Sequence, residues 1–462
     1  MQEFLYNKRF HWMFFGGVFL ALVALWFPGL KYPILSDTAH YAFLGESLWQ
    51  DMRFELLDVP YGKHLPFHAL VSYPFVWMLG YTLGMKVSTL LAGFTVLVVS
   101  FFLLERVMSR EVAALSVVFL TFHHAFILMT QLGSADLLFT GLFLISILAY
   151  LKADTDVRYY TVAFLVAGLA CVTRYNGVPL FGLLLGHLLL FRRGDLRYII
   201  VWISAIAGGL IFVLWLIRNW KVFGNPLYTE YSLELTQHSL GTFDQLLSNV
   251  VYYLNPLHNI LPVLLICAVW GLWKHGRQHK FLIAAILAAW VLTAFWWVQS
   301  MRFAFPAYPI LMGFAVVGLM DLFRRFIRYP MLSHWILVVG TIIGVHAGAL
   351  CLYSYGECNS LFDRSVGLIP SNLGLTSEGF FAWHEARTYI LEQGDPSTTV
   401  FALGEIDVRI WQDGQVMGSD RTLSSERDCG MYVITQNPKE GEQIIYTSPS
   451  YPQTSVILQS CT

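Results

Sequence analysis

Charged residues are scarce in this chain: they make up 13% of its 462 residues, against about 25% in an ordinary soluble protein. Hydrophobic residues make up 56% of the chain, and the mean hydropathy is +0.57. Apolar runs of roughly 18–20 residues recur, and a helix of that length crosses the hydrocarbon core of a bilayer. The composition excludes a conventional soluble protein and predicts a polytopic all-α membrane protein.

The chain also lacks a Walker motif, a dinucleotide-binding motif, a low-complexity segment and a strong internal repeat. No nucleic-acid partner is expected. Cysteines are few: three fall in predicted spans, where they are expected to pack, and three fall near the carboxy terminus. If the last three (Cys358, Cys429 and Cys461) face an oxidising compartment, two of them can pair, and the sequence leaves open which two.

The apolar runs predict about eleven spans, and the first is expected to be retained rather than cleaved as a signal peptide. They lie near residues 10–30, 86–104, 111–128, 135–151, 159–174, 177–191, 199–217, 259–273, 281–298, 303–320 and 332–352. Lys and Arg concentrate in one set of short connections, which is typical of the cytoplasmic side. This bias predicts an integral protein of a prokaryotic cytoplasmic (inner) membrane, with its amino terminus inside and the first loop and the tail outside.

The apolar block at residues 64–84 is expected not to cross. It contains Pro66 and Pro74, and counting it as a span would place the basic loops outside. An interfacial helix on the outer leaflet fits better. A second interfacial helix is predicted over residues 37–52, where Tyr41, Leu44 and Leu48 repeat at helical spacing.

The composition changes after the last predicted span. Residues 353–462 carry a net charge of −8, whereas residues 1–352 carry +7. The chain is therefore predicted to divide into a transmembrane domain, 1–352, and a small soluble α/β domain, 353–462, outside the membrane. Within the second domain the pattern predicts a helix over residues 383–391 and strands over 399–403, 431–435 and 455–458.

The first outer loop is the longest early polar interruption of the apolar sequence. It holds ionisable groups that include Asp37, His40, Lys63 and His64. Asp37 lies just past the outer end of the predicted first span, with Tyr41 one helical turn further on. A carboxylate at that place can take a proton from a hydroxyl or help to hold a divalent cation; Ser36 or Asp37 can equally cap a helix.

Asp136 is a second candidate, because it adjoins apolar sequence at the outer end of the fourth span, where a charge is costly and usually functional. The alternative is a helix cap at Ser134 or Asp136. The adjacent His123 and His124 are expected to pack rather than to bind a metal.

Cations at the predicted outer helix ends form a further group. Lys31, Lys86 and Lys221 are expected to snorkel. Arg174 and Arg302 differ, because Arg174 lies within TRYNGVP at a predicted helix end and Arg302 opens the proline-rich span SMRFAFPAYP. Guanidinium groups beside carboxylates indicate a bound phosphate near an acid or a base.

Four motifs in order resemble the GT-C superfamily of membrane glycosyltransferases, specifically the protein O-mannosyltransferase and aminoarabinose-transferase branch. They are Asp37-Thr38-Ala39-His40-Tyr41 in the first outer loop, Lys63-His64-Leu65-Pro66 for a Lys-Pro-Pro stretch, Asp136 at the start of the fourth span, and Arg302-Phe303 with Pro306 and Pro309. The likeness covers about residues 1–320. The chain departs from the family pattern at two places. Thr38 replaces a second acidic residue, and the Lys-Pro-Pro stretch is matched only loosely by Lys63-His64-Leu65-Pro66.

The resemblance implies an inverting glycosyltransferase with a polyprenyl-phosphate sugar donor. The acceptor would be a protein, a glycolipid or a polysaccharide. The catalytic residues implied are Asp37 as general base and Asp136, which would orient the acceptor or Lys63 or help to bind a metal. The substrate-binding residues implied are His40, Tyr41, Lys63, Arg174 and Arg302. The resemblance implies no definite cofactor, and a divalent cation bound at Asp37 is left as an alternative.

Two other classes of function remain open from the sequence. One is a lipid flippase or transporter, which the bare middles of the spans and the missing inverted repeat disfavour. The other is an inactive GT-C-like assembly subunit, which Thr38 leaves room for.

Overall fold

The computed structural model describes residues 8–31, 34, 37–56, 58–232, 243–254, 262–296, 301–326, 377–395, 397–401, 423–424, 428–435, 438, 442–449 and 455–460. The predicted span at 332–352 and the predicted domain boundary at residue 352 lie outside these residues. So do Cys358 and Cys461. Cys429 forms a disulfide, and its partner remains a prediction.

Helices build nearly all of the described chain before residue 327. They are α1 Lys8–Trp26, α2 Asp37–Gln50, α3 Pro66–Leu79, α4 Tyr81–Val107, α5 Arg110–Thr121, α6 His124–Leu132, α7 Asp136–Lys152, α8 Tyr159–Cys171, α9 Gly177–Phe191, α10 Ile199–Phe223, α11 Phe243–Leu254, α12 Pro262–His275, α13 Lys280–Trp290, α14 Met301–Ala304 and α15 Tyr308–Phe326. Short 3-10 turns follow α1, α9, α12, α13 and α14. A two-stranded hairpin, β1 Glu55–Leu56 and β2 Val59–Pro60, lies between α2 and α3.

Most predicted spans correspond to a helix, although their ends differ. Among the described residues, Tyr81–Val107, Ile199–Phe223 and Arg302–Leu322 are long and apolar enough to cross a membrane, and several shorter apolar helices accompany them. The predicted span at 111–128 is divided: α5 ends at Thr121 and α6 begins at His124. Twelve residues of α5 span only about 18 Å, short of the roughly 30 Å hydrocarbon core.

The predicted interfacial segments are helices, and they pack on each other. Pro66 opens α3, where its missing N–H costs no intrahelical bond. Gly80, at φ 81°, ends α3 and turns the chain directly into α4. The Tyr81 hydroxyl at the start of α4 donates to Glu46 of α2 at 2.9 Å. This contact joins α2 to the start of α4, and the interfacial position of α2 and α3 remains a prediction.

Lys86 does not snorkel. It lies in α4 with 1% of its surface exposed, and its Nζ donates to the carbonyl oxygen of Gly29 at 2.5 Å. The expectation of a water-facing ammonium was wrong, because the chain after α1 supplies a free backbone carbonyl inside the protein. Sequence alone does not show which carbonyls remain unpaired at a helix end.

The described part of the tail forms a helix on a small sheet. The helix is α16 Ser377–Glu392, and the strands are β3 Val400–Phe401, β4 Leu423–Ser424, β5 Tyr432–Thr435, β6 Gln443–Thr447 and β7 Ser455–Leu458. Their order is β4-β3-β5-β7-β6, parallel on one side of β5 and antiparallel on the other. Ala386, Ile390, Val400 and Val456 form its core. The predicted helix and three strands are present, and β4 and β6 were not predicted.

Candidate active site

Asp37 is the first residue of α2 and stands where three segments of the chain meet. Its Oδ1 lies 3.4 Å from Nε2 of His64, which precedes α3, and its Oδ2 lies 3.6 Å from the Arg302 guanidinium of α14. The side chain is 30% exposed, whereas the His64 side chain is only 3% exposed. A helix amino terminus favours a carboxylate at this position. The group is thus both fixed and accessible.

The charge of this carboxyl follows from its neighbours. Burial alone would raise its pKa, but His64 and the cations of Arg302 and Lys63 outweigh burial and hold the pKa of Asp37 below its usual range. The neighbouring His40 behaves differently: burial, helped by the nearby His64, lowers its pKa to about 4. Near neutral pH, Asp37 is therefore a carboxylate and His40 a neutral imidazole.

Aromatic rings pack around the residues that neighbour Asp37. The Tyr41 ring stacks on His64 with centroids 4.5 Å apart and meets His68 edge-on at 4.8 Å. His40 Nδ1 and the Tyr61 hydroxyl form a hydrogen bond at 3.2 Å. Tyr41 is buried, so it packs His64 in place, while His40 is only partly buried.

Asp136 lies deeper, at 1% exposure. Its Oδ1 accepts from the Arg174 guanidinium at 2.5 Å, and its Oδ2 accepts from the Ser134 hydroxyl at 2.8 Å. The residue before the helix is Ala135, and no side chain caps α7 there. The geometry therefore does not show a helix cap. Instead, the Asp136 carboxylate forms an ion pair with Arg174.

The cations predicted from the sequence lie around these two carboxylates. Arg174 and Arg302 both approach the Phe303 ring, with Cζ atoms 5.3 Å and 5.0 Å from its centroid. Lys63 Nζ lies 5.3 Å from the centroid of Tyr231. The seven predicted site residues thus gather at one end of the bundle.

Several residues of this region were missed by the sequence interpretation. His64 was counted among the loop ionisables but given no role, although its place beside Lys63 was a signal. Tyr231, which contacts Lys63 and Trp296, carried no signal. Arg218, one of the cations at the predicted outer helix ends, donates to the carbonyls of Phe54 and Tyr61 at 2.9 Å and so fixes the loop between α2 and α3 to α10.

Thr38, the departure from the family motif, has a structural part. Its hydroxyl donates to the carbonyl of Leu132 at 2.9 Å and so ties α2 to the segment that leads to Asp136. His123 is buried near Tyr308, in agreement with a packing role.

Asp37, His40 and His64 also form a cluster that could hold a metal ion, since one ligand atom from each lies within 4.8 Å of the others. Two imidazoles and one carboxylate suit a borderline cation such as Zn²⁺. With bonds of about 2.0–2.1 Å, tetrahedral ligand atoms stand roughly 3.3 Å apart, so the three side chains would have to move closer. The residue types fit a cation.

No protein-family model matches the chain, and no curated protein matches it. Solved structures do match. ArnT from Cupriavidus metallidurans, bound to undecaprenyl phosphate, has a TM-score of 0.56 at 12% identity, over 98% of this chain and 98% of that one. The oligosaccharyltransferase of Archaeoglobus fulgidus in its apo form has a TM-score of 0.53 at 12% identity, over 90% of this chain and 65% of that one. The same protein in complex with Zn and sulfate has a TM-score of 0.50 at 13% identity, over 89% and 62%.

ArnT is an aminoarabinose transferase, and the archaeal protein is the oligosaccharyltransferase AglB; both are GT-C glycosyltransferases. At these identities the similarity establishes the fold. The chain therefore has the fold of the GT-C membrane glycosyltransferases, as its four motifs implied.

Proposed function

We propose that the protein is an inverting glycosyltransferase that moves a sugar from a polyprenyl-phosphate donor to an acceptor hydroxyl. The observation that carries the proposal is the accessible Asp37 carboxylate, held between His64 and Arg302 with further cations nearby. The GT-C neighbours support it: one is bound to undecaprenyl phosphate, and another is in complex with an inhibitory peptide and dolichol phosphate.

In this mechanism Asp37 is the general base. It is a carboxylate near neutral pH, and it accepts the proton of the acceptor hydroxyl as that oxygen attacks the anomeric carbon in line. The attack displaces the lipid phosphate and inverts the anomeric configuration. Lys63, Arg174 and Arg302 stabilise the charge that grows on the departing phosphate.

Asp136 acts through Arg174 rather than on the substrate. Its two oxygens are engaged by Arg174 and Ser134, and it is almost fully buried. An arginine fixed by a buried carboxylate presents its remaining N–H groups in one direction. Asp136 is therefore a positioning residue in this proposal, and His40 lies where it can contact the acceptor or the sugar.

A divalent cation is the remaining question at this site. Asp37, His40 and His64 would hold it, and when bound it would supply positive charge next to the reacting groups. Arg302 already supplies such charge at Asp37. Transfer measured with and without EDTA, followed by Zn²⁺ or Mn²⁺ addition, tests whether the cation contributes.

The test of the function is release of polyprenyl phosphate from a panel of polyprenyl-phosphate sugars by purified protein in detergent, given mixed membrane acceptors. Asp37→Asn runs beside it and is expected to fold normally and to lose turnover. Retained turnover in Asp37→Asn contradicts the base assignment. Lipid movement in vesicles without any sugar transfer would favour the flippase.

We also place the site on the extracytoplasmic face of a prokaryotic inner membrane. The distribution of Lys and Arg supports this orientation, and the tail, 353–462, is then a soluble domain on the same side. That domain would bind the acceptor or cover the site.

A further inference from the structure

The Phe303 ring lies near both arginines of the site, and the mechanism above gives it no role. The Cζ atoms of Arg174 and Arg302 stand 5.3 Å and 5.0 Å from the centroid of its ring. A guanidinium within about 6 Å of an aromatic ring is attracted to the ring's electron-rich face. One ring thus contacts two guanidiniums, whose like charges repel each other.

The two arginines differ in what else holds them. Arg174 has a permanent partner in the buried Asp136. Among the described residues, the one carboxylate near Arg302 is that of Asp37, at 3.6 Å, and the buried Nε of Arg302 has no hydrogen-bond partner there. A buried N–H donor without a partner is costly, so a ligand oxygen near Arg302 would be favoured.

The proposed reaction changes the charge next to Arg302. The acceptor O–H bond breaks and its proton passes to Asp37, while the acceptor oxygen bonds to the anomeric carbon. The bond from that carbon to the phosphate oxygen breaks, and its electron pair stays on the phosphate. Asp37 therefore loses its negative charge as the phosphate gains one, and Arg302 must exchange the first partner for the second.

We propose that Phe303 is a positioning residue that holds both guanidiniums beside the departing phosphate while Arg302 exchanges Asp37 for it. An aromatic ring suits this task because its attraction for a cation does not depend on protonation. The inference rests on the proposed function and gives the aromatic residue after Arg302 a part in it.

The experiment compares Phe303→Leu with Phe303→Tyr. Leucine keeps an apolar side chain but removes the ring face; tyrosine keeps the face. Phe305→Leu is the matched control, since Phe305 is buried in the same segment and stacks on Phe126 and Tyr308. Each purified variant is assayed for binding of undecaprenyl phosphate in detergent, for turnover and for Tm.

Phe303→Leu is expected to bind undecaprenyl phosphate about tenfold more weakly and to turn over about tenfold more slowly, at a Tm near that of the wild type. Phe303→Tyr should keep the binding and the turnover of the wild type. Phe305→Leu should lower Tm while the folded protein binds normally. Wild-type behaviour of Phe303→Leu overturns the proposal, and so does a Phe303→Tyr variant as impaired as Phe303→Leu.

The proposed function can fail separately from this inference. Wild-type protein that binds undecaprenyl phosphate but transfers no sugar contradicts the glycosyltransferase assignment, while the binding comparison still decides whether Phe303 holds the arginines. Wild-type protein that binds no undecaprenyl phosphate overturns both. Parallel losses of Tm and binding in the two leucine variants would show a structural role only and overturn the inference.

Discussion

The Asp136–Arg174 pair shows how a charge is tolerated deep in this protein. A lone buried carboxylate would be very costly, and it is retained because the guanidinium and the Ser134 hydroxyl satisfy it. Removing one partner leaves the other charge uncompensated, which costs about 3–5 kcal/mol. Breaking the pair is therefore expected to change stability more than the net contribution of the intact pair would indicate.

A double-mutant cycle tests this pair. Asp136→Asn and Arg174→Gln are each expected to lower the free energy of unfolding by about 3–5 kcal/mol, and the double variant should lose less than the sum. Thermal unfolding in detergent measures stability, and sugar transfer is assayed beside it. Because Arg174 is proposed to contact the phosphate, the double variant should regain stability without activity. Strict additivity would contradict the pairing.

His68 gives a pH-dependent prediction. It is fully buried, and Nε2 meets the carbonyl of Gly133 at 2.9 Å. Burial, only partly opposed by this hydrogen bond, lowers the pKa of His68 to about 4, against about 6.5 in an unfolded chain. The unfolded state therefore takes up the proton first, and stability falls as the pH drops from about 6.5 to 4, by about 1.4 kcal/mol per pH unit.

His68→Gln removes this titration and keeps a donor for Gly133. Its Tm is expected to fall less steeply than that of the wild type between pH 6.5 and 4, with parallel curves above pH 7. Equal slopes over the acid range would show that His68 is not buried in its neutral form.

At this scale the sequence indicated candidate residues more readily than the contacts that they make. Asp37, Arg174 and Arg302 were identifiable because charges stand out beside apolar runs. Their partners were not, since Asp136 and Arg174 are 38 residues apart in sequence and only packing brings them together. Lys86 was misjudged for the same reason.

Among the elements, α8 and α10 approach each other unusually closely. A Cβ added at Gly168 of α8 would stand 2.2 Å from the carbonyl oxygen of Gly208 in α10, and one added at Gly208 would meet the carbonyl of Phe164 at the same distance. Small residues at a helix crossing allow this contact in a membrane. The crossing fixes the end of α8, from which Arg174 reaches the site.

Gly168→Ala is therefore expected to push the two helices apart and to destabilise the protein by about 1–3 kcal/mol. Gly182→Ala in α9 is the matched control, because a Cβ there meets nothing within 4 Å. Thermal unfolding should show a lower Tm for the first variant and no loss for the second, since alanine favours a helix. Equal Tm values would contradict the close crossing.

Helix positions followed from the sequence more readily than helix ends. The span predicted at 177–191 coincides with α9, whereas the one at 111–128 is broken at Phe122 and His123. An apolar run does not reveal an internal break, because both pieces remain hydrophobic. Strands β4 and β6 were missed since short strands give little period-two signal.

For the whole molecule, the ends of the helices separate into two sets. Asp37, Asp136, Arg174 and Arg302 meet at one end. At the other ends of α7, α8 and α9, Arg192 contacts Asp154 at 2.8 Å, and the Tyr160 hydroxyl donates to Asp195 at 2.6 Å. The side of the membrane that each set of ends faces remains a prediction.

Helix α10 connects the two sets and makes the orientation testable. Arg218, near its carboxy-terminal end, is hydrogen-bonded to the loop between α2 and α3, which includes Val59, and its amino-terminal end follows Gly194. Its 25 residues rise about 37 Å, enough to cross a membrane.

Val59→Cys should react with a membrane-impermeant maleimide on intact spheroplasts, and Gly194→Cys only after permeabilisation. Both positions are exposed on the protein, so the side of the membrane that each one faces decides whether its cysteine is labelled. Labelling is compared with that of the parent protein. The reverse pattern would invert the proposed orientation, while labelling of both from one side would contradict the crossing by α10.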